Sequence, residues 1–276
     1  MSPGRLRLIT WNVARRTERL AEQATALAAR EPDVVALQEV TRRTEPVWTR
    51  AFELLGLVHV RSPWGAGDPP PAGEPRPAMW VMVASRTALT DVARPLDVPR
   101  PESAVGAAIQ TELGPVEVYC LHVPNAANGW VKVRTLEAIR AGLASAGPGA
   151  RVLCGDLNTP RRELPSGETL SFARDTHGRL RPERGAEWDT AELSVVPGLR
   201  ELGYLDAFRA LHGYGAREPS WTWRRIAGHG GGWRLDHVFA SPPLRPIACQ
   251  YHHGWREQDL SDHSALEVDF AGQPPQ

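Results

Sequence analysis

Short apolar segments typical of β-strands recur along the whole chain, and helical periodicity appears only between them. Nine segments predict strands, at 6–13, 34–38, 57–61, 79–84, 105–111, 116–122, 151–155, 234–240 and 264–270. Four intervening segments predict helices, at 16–30, 44–55, 130–144 and 205–212. This alternation favours one layered α/β domain over residues 1–276, with a core from about residue 5 to residue 270.

Two stretches resist assignment to a helix or a strand. Residues 65–77 are so rich in proline and glycine that they predict an exposed loop. Residues 159–192 are polar, charged and aperiodic. A connection of this length inside a compact domain is more often a functional loop than a neutral insertion, so we expect a loop that takes part in function.

Composition limits the classes of function. The 32 basic residues balance the 32 acidic ones, which excludes a highly charged disordered chain and an overall positive field that would attract nucleic acid. A nucleic-acid surface would have to be local. No apolar run reaches the roughly 18 residues that a membrane span needs, and the N-terminus lacks the apolar region of a signal peptide. We therefore expect a soluble, cytoplasmic protein without a membrane partner.

The three cysteines, Cys120, Cys154 and Cys249, are an odd number and lie far apart in the sequence. They lack the ligand spacing of a structural zinc site. Because Cys120 and Cys154 lie inside apolar segments, we expect buried free thiols.

Polar residues stand at the ends of otherwise apolar strand segments, and this feature is the most informative about function. They are Asn12, Glu39, His122, Asp156, Asn158, Asp236, His237, Asp262 and His263. Strand ends at one edge of a layered α/β domain converge on a rigid scaffold, so seven of these side chains could share one cleft. Each also has a structural explanation, since a carboxylate at a strand end often caps a turn and Asp156 with Asn158 suits an Asx turn. The combination favours a shared active site.

Six fragments carry a family resemblance. They are TWNV (10–13), LQEV (37–40), HVPN (122–125), CGDLNTP (154–160), WRLDHVFAS (233–241) and SDHSAL (261–266). In this order they resemble the endonuclease/exonuclease/phosphatase superfamily, the fold of deoxyribonuclease I and exonuclease III. The resemblance implies a four-layered α/β sandwich with two central, mostly antiparallel sheets. GDLN together with SDH is specific, whereas each fragment alone is weak.

The C-terminal half resembles the exonuclease III and abasic-site endonuclease branch of that superfamily. Its matching segments are LDAFRALH (205–212), SWTWR (220–224) and GWRLDHVFAS (232–241). His122 stands where that branch has a tyrosine, and NVARR and QEVTRR depart from its N-terminal motifs. The resemblance therefore implies a Mg²⁺-dependent phosphodiester hydrolase acting on DNA as a nuclease. The alternatives are a small-molecule, nucleotide or lipid phosphoester as substrate, or a binding module without activity.

The resemblance also implies roles for the strand-end residues. Mg²⁺, with Mn²⁺ as a substitute, would be bound by Glu39, Asn12 and Asp262, which carry the oxygen ligands that a hard cation prefers. Asp156 would hold or activate the attacking water, and Asn158 would bind the scissile phosphate or align Asp156. His263, held by Asp236, and His122 would stabilise the charge on the phosphate. His237 follows Asp236 directly and so faces the other side of a regular strand, which favours a packing or solvent role.

Contacts to the rest of a DNA substrate would come from basic and aromatic residues. Asn125 resembles a secondary phosphate ligand, and Arg161 and Arg162 follow GDLN directly. Further arginine doublets stand at 15–16, 42–43 and 224–225, and the alternative for each doublet is a solvent-facing pair. Trp223, with its neighbours Trp221 and Trp233, could stack on a base or sugar, and the alternative is core packing. We expect the enzyme to act as a monomer.

Overall fold

The computed structural model describes residues 4–63, 78–224 and 230–272, so the loop predicted over 65–77 lies outside the described residues. Its strands are β1 (Arg5–Asn12), β2 (Val34–Val40), β3 (His59–Arg61), β4 (Trp80–Ser85), β5 (Leu89–Thr90), β6 (Ala104–Thr111), β7 (Gly114–His122), β8 (Ala150–Asp156), β9 (Arg162–Glu163), β10 (Thr169–Leu170), β11 (Leu205–Asp206), β12 (Trp221–Arg224), β13 (Gly230–Trp233), β14 (Asp236–Ala240), β15 (Arg245–His252) and β16 (Ala265–Ala271). Its helices are α1 (Leu20–Ala28), α2 (Glu45–Leu54), α3 (Trp130–Ala144), α4 (Gly185–Val195), α5 (Ala207–His212) and α6 (His253–Glu257). In the described parts of the chain, no helix is long and apolar enough to span a membrane.

Two six-stranded sheets form the centre of the molecule. The first has the order β15-β16-β1-β2-β4-β3, and the second has the order β11-β14-β8-β7-β6-β5. In each sheet one neighbouring pair is parallel, β1 with β2 and β7 with β8. The other neighbours in both sheets are antiparallel. This arrangement confirms the prediction of two mostly antiparallel central sheets.

Three apolar cores separate the sheets from each other and from the helices. Alternate residues of a strand face opposite sides, so Leu8 of β1 and Val118 of β7 lie in the core between the sheets. Their neighbours in sequence face outward. Ile9 packs in the core that includes α1 and α2, and Tyr119 packs in the core that includes α3 and α4. The result is the predicted four-layered sandwich of helices, two sheets and helices.

The predicted strands all occur, with ends within about two residues of the expected positions. Strand β15 was not predicted, because Pro246 lowers the strand propensity of this segment. A sheet tolerates proline on an edge strand, and β15 is an edge strand of the first sheet. The three cysteines are buried free thiols, as expected.

The prediction of a loop over 159–192 is wrong at its C-terminal end, where α4 begins at Gly185. Trp188, Ala191 and Val195 of this helix pack in the core outside the second sheet. The helical periodicity is hidden in the sequence because buried carboxylates interrupt the apolar face. Of these, Glu192 is fully buried.

Candidate active site

The two parallel strand pairs explain why the predicted residues meet. Parallel strands end at the same edge of a sheet, and here Asn12 of β1 is in register with Gln38, the residue before Glu39. In the second sheet His122 of β7 is in register with Asp156 of β8. The adjacent antiparallel strand β14 begins at Asp236, directly opposite Asp156. The strand ends therefore gather at one edge of the sandwich, as predicted.

Asn12 connects the two sheets at this edge. Its Nδ2 donates to Glu39 Oε1 at 3.2 Å and to Asp156 Oδ2 at 3.1 Å. Its Oδ1 accepts from the backbone N–H of Ala14 at 3.0 Å. Because the amide nitrogen, and not the oxygen, faces the carboxylates, Asn12 holds them together in this geometry. This orientation differs from that of a metal ligand, and the metal-binding role of Asn12 stays a prediction.

A bulge in β2 aims Glu39 into the site. The pairing of β2 with β4 shifts register between Leu37 and Val40, and Glu39 has a φ of +60°. Such a bulge redirects a side chain at the cost of an uncommon backbone conformation. The Glu39 carboxylate then lies 3.1 Å from Arg15 Nε and 3.8 Å from His122 Nε2. It is a hard oxygen donor at the edge of the site, with 17% of its side chain exposed.

Asp156 and Asn158 form a tight turn after β8. The backbone N–H of Asn158 donates to Asp156 Oδ1 at 2.9 Å, which is the Asx turn that the sequence allowed. The Asn158 side chain donates to the Val123 carbonyl at 2.9 Å and lies 3.3 Å from Asp156 Oδ2. Burial raises the pKa of the Asp156 carboxyl, against the opposing charge of His263. The turn therefore aligns a buried carboxylate of raised basicity.

His263 and Asp236 form a buried pair beside Asp156. His263 Nδ1 lies 2.8 Å from Asp236 Oδ2, and its Nε2 lies 3.8 Å from Asp156 Oδ2. Burial alone would lower the pKa of His263, but the charges of Asp236 and Asp156 outweigh it and raise the pKa to about 10. His263 is therefore a cation at neutral pH, with one nitrogen held by Asp236. The remaining N–H suits contact with a phosphate oxygen.

Two sets of residues could hold a cation. One atom from each of Asp156, Asp236 and His263 lies within 4.8 Å of the others. In this group His263 Nδ1 already contacts Asp236 Oδ2 at 2.8 Å, and an imidazole nitrogen is a poorer ligand for a hard cation than a carboxylate oxygen. Glu39 with Asp156 offers carboxylate oxygens instead, and His122 Nε2 lies 3.7 Å from Asp156 Oδ2 and 3.8 Å from Glu39 Oε1. The donor set at Glu39 fits a magnesium ion better.

These residues open into a cavity of about 900 Å³, which Glu39, His122, Asp156 and His263 all line. The cavity is also lined by several other predicted residues. They are Asn158, Asn125, Asp262 and Arg161. Asp262 is exposed, and its Oδ2 accepts from Trp221 Nε1 at 3.1 Å.

Arg162 and Trp223 lie away from this cavity. They line a neighbouring cavity of about 750 Å³, whereas Trp221 and Trp233 line both. The three tryptophans form one cluster, in which the Trp221 and Trp233 rings stack with centroids 5.3 Å apart. Trp221 and Trp233 therefore face the cavity of the candidate catalytic residues, and the stacking role of Trp223 stays a prediction.

The other residues singled out in the sequence contact local partners or face solvent. His237 is fully buried, and its Nε2 lies 2.8 Å from the Thr159 carbonyl, in agreement with a packing role. Arg16 pairs with Asp259 at 2.8 Å. Of the remaining arginine doublets, 42–43 is exposed, and the side chains of 224–225 lie outside the described part of the structure.

A buried ion pair behind the site was missed by the sequence analysis. Lys132 Nζ donates to Glu192 Oε1 at 2.7 Å and to the Asn158 carbonyl at 2.8 Å, and both side chains are fully buried. Glu192 also accepts from Thr159 Oγ1 at 2.7 Å and from the Phe172 backbone N–H at 2.8 Å. Lys132 is the only lysine in an arginine-rich chain, and this was the one signal available. The pair fixes the turn that carries Asn158.

Comparisons with known proteins agree with this geometry. A family model described as the endonuclease/exonuclease/phosphatase family matches residues 9–263. A search of curated proteins gave no match.

Several solved structures share the fold. An AP endonuclease from Archaeoglobus fulgidus superposes with a TM-score of 0.69 at 23% identity, covering 96% of this chain and 99% of that chain. The 3′ phosphatase NExo from Neisseria, bound to a product DNA hairpin, gives 0.66 at 21% identity, with 96% and 99% covered. An endonuclease/exonuclease/phosphatase from Beutenbergia cavernae gives 0.65 at 20% identity, with 98% and 72% covered. The described elements therefore form a DNase I-like α/β sandwich.

Proposed function

Because the chain belongs to the endonuclease/exonuclease/phosphatase family, whose members are metal-dependent phosphoesterases, we propose that it is a Mg²⁺-dependent phosphodiesterase that cleaves DNA. The observation that carries this proposal is the position of His263. Its Nδ1 is held by Asp236 at 2.8 Å while its Nε2 faces Asp156 at 3.8 Å, inside the cavity that Glu39 also lines. A fixed cation beside a buried carboxylate suits a reaction in which water attacks a phosphate.

Glu39 would hold the metal, together with the exposed carboxylate of Asp262. When bound, Mg²⁺ supplies positive charge that polarises a phosphoryl oxygen and offsets the charge on the leaving oxygen. Arg15 lies 3.1 Å from Glu39 and would have to share or release this carboxylate. Its side chain is 60% exposed, so it can move into solvent without breaking a buried contact.

The protein's own groups carry the remaining steps. Asp156, whose pKa burial raises, holds the attacking water and accepts its proton. Asn158 aligns Asp156 through its backbone N–H. His263 donates from Nε2 to a phosphate oxygen, and Asp236 keeps the ring in the required orientation through Nδ1. His122, which lines the same cavity, donates to a second oxygen of the same phosphate.

DNA as the substrate is supported by the cavity walls. Trp221 and Trp233 present aromatic faces beside the catalytic residues, and Arg161 adds a positive charge. Stacking on aromatic rings and contact with arginine are the usual means of binding single nucleotides that leave a helix. The AP endonuclease and the 3′ phosphatase bound to a DNA hairpin have the same fold, which supports a nucleic-acid substrate for this chain as well.

The test is a cleavage panel run with Mg²⁺ and with Mn²⁺. The substrates are an abasic-site duplex, a blunt duplex, single-stranded DNA, RNA and bis(p-nitrophenyl) phosphate, and Asp156→Asn protein is the control. We expect metal-dependent cleavage of at least one DNA substrate by wild-type protein, and loss of this activity in the control. Cleavage of the small diester alone would establish the alternative of a small-molecule or lipid phosphoesterase. Cleavage of none of the substrates would refute the proposal.

A further inference from the structure

Three arginines from the segment after the Asp156 turn line the same cavity as the catalytic residues. Arg161 follows the turn directly, and Arg181 and Arg184 come from the chain that leads into α4. Their side chains contribute to one wall, together with Phe172 and Trp233. The long polar segment predicted to be functional therefore contributes positive charge to the site.

These three charges lack close carboxylate partners among the described residues. Arg181 lies 3.9 Å from Glu183, a long and largely exposed contact. Arg184 donates to the Phe172 carbonyl and stacks on Trp188, with 5.0 Å between its guanidinium and the ring. For Arg161 the described part of the chain contains no carboxylate within 4.0 Å.

Nearby arginines outside this wall are paired in a different way. Arg174 contacts Asp189 at 2.6 Å, and Arg209 and Arg234 contact Glu163 at 2.8 and 2.7 Å. The chain therefore pairs these structural arginines closely with carboxylates, whereas among the described residues Arg161 and Arg184 have none within 4.0 Å and Arg181 has only Glu183 at 3.9 Å.

Holding three like charges together costs free energy. Burial and the charge of Arg181 lower the pKa of Arg161, the charge of Asp175 opposes this shift, and Arg184 adds to it. A bound anion would remove the repulsion and complete the hydrogen bonds of the guanidinium groups. Arginine is well suited to phosphate, because its planar group donates two parallel hydrogen bonds.

Two aromatic side chains line the cavity together with these arginines. The rings of Phe172 and Trp233 meet edge to face with centroids 4.9 Å apart, and both residues line the cavity. They present an apolar surface beside the arginines, of a kind that a sugar or a base can cover. A phosphate on the arginines and a scissile phosphate at His263 would then lie in the same cavity, which these rings also line.

We propose that Arg161, Arg181 and Arg184 form a second phosphate subsite, so that the enzyme prefers diesters with another phosphate on the neighbouring nucleotide. This inference rests on the proposed phosphodiesterase function and specifies its substrate class. The second phosphate is either a terminal monophosphate or the next backbone diester. Both present anionic phosphate oxygens to the arginines, and short oligonucleotides distinguish the two sources.

The test compares thymidine oligonucleotides under identical metal and salt conditions. TpT has only the scissile phosphate, pTpT and TpTp add a terminal phosphate at either end, and TpTpT adds a backbone phosphate. We expect kcat/KM to rise about tenfold for at least one of the last three over TpT, as one charge-assisted hydrogen bond would give. A methylphosphonate in place of the additional linkage of TpTpT, which removes its charge, should abolish the gain.

The variant Arg181→Gln should bring the ratio of kcat/KM between the preferred substrate and TpT close to one. The matched control is Arg179→Gln, on the same segment but 75% exposed and paired with Asp175, which should keep the wild-type ratio. Equal kcat/KM for all four substrates with wild-type protein would overturn the subsite, as would an unchanged ratio in Arg161→Gln/Arg181→Gln protein. Wild-type protein that cleaves neither these substrates nor bis(p-nitrophenyl) phosphate would overturn the phosphodiesterase function itself.

Discussion

Lys132 Nζ of α3 lies 2.7 Å from Glu192 Oε1 of α4, and both side chains are fully buried. The pair also holds the backbone of the catalytic turn, since Lys132 donates to the Asn158 carbonyl. Asn158 has a φ of +50°, an uncommon conformation outside glycine that needs support from its surroundings. The ion pair is therefore a link between the helical layer and the active-site edge of the second sheet.

Replacement of Lys132 by alanine should destabilise the protein strongly. It leaves the Glu192 carboxylate buried without its cation, which typically costs about 3–5 kcal/mol in the free energy of unfolding. Urea unfolding of Lys132→Ala measures the loss, and Lys132→Met/Glu192→Leu should recover part of it because no isolated charge remains. Equal stability of Lys132→Ala and wild-type protein would show that the pair contributes nothing to folding.

Replacement of Glu39 by glutamine should remove most metal-dependent turnover without unfolding the protein. Glutamine keeps the size of the side chain but loses the charge that a hard cation prefers. Calorimetric titration with Mn²⁺ should show that the Glu39→Gln variant binds the ion more weakly than wild-type protein does. The control is Glu53→Gln, a partly exposed residue of α2 that pairs with Arg50. Wild-type rates for Glu39→Gln at saturating Mg²⁺ would remove Glu39 from the metal site.

Asp156→Asn and His263→Gln should each lower kcat by about 10² or more, as expected for the loss of a proton acceptor or of a charge-stabilising donor. The effects should not add in the double variant, because both groups act on one transition state. Steady-state kinetics on a cleavable substrate, with circular dichroism to check folding, measure both points. Full activity of His263→Gln would mean that the imidazole has only a structural role.

Removal of the Trp233 ring should weaken oligonucleotide cleavage more than removal of the Trp223 ring. Trp233 lines the cavity of the catalytic residues, whereas Trp223 lines the neighbouring one. Loss of one stacking contact costs roughly 1–3 kcal/mol, so kcat/KM should fall about tenfold in Trp233→Ala. The ratio to the rate on bis(p-nitrophenyl) phosphate corrects for general damage to the site. A larger loss in Trp223→Ala would restore Trp223 as the stacking residue.

Stability should fall in acid as Glu163 is protonated. Ion pairs with Arg234 and Arg209 outweigh the effect of burial and hold the pKa of Glu163 at about 2, below its ordinary value of 4.5. A lowered pKa in the folded state contributes stability above pH 4.5, and this contribution is lost as the pH falls towards 2. Its size is on the order of 3 kcal/mol. Urea unfolding at pH 7, 4.5 and 3 should show a smaller acid loss in Glu163→Gln than in wild-type protein. If the free energy of unfolding depends on pH in the same way in both proteins, Glu163 does not contribute the acid-sensitive stability.

Local patterns in the sequence were sufficient to place the strands and to select the residues that end them. Strands such as β4, β8 and β16 are buried on both faces, because each sheet is covered on both sides, and such segments stand out against polar turns. Glu39, His122 and Asp156 end or nearly end these segments, so their convergence followed once the strands were known to share an edge. The helices α2 and α3 were predicted for the same reason, since their apolar periodicity lies within one stretch of chain.

Other features depend on contacts between distant residues, which only the tertiary structure decides. Helix α4 was hidden because Glu192 interrupts its apolar face, and its cation is Lys132, 60 residues earlier in the chain. Arg161 and Arg162 are neighbours in sequence, but only Arg161 reaches the cavity of the catalytic residues, while both line the neighbouring cavity. The direction of the Asn12 amide is set by Ala14 on one side and by two carboxylates from different sheets on the other. Residue types therefore determined which chemistry the chain could perform, and the packing of the sheets and of α4 decided which side chains meet to perform it.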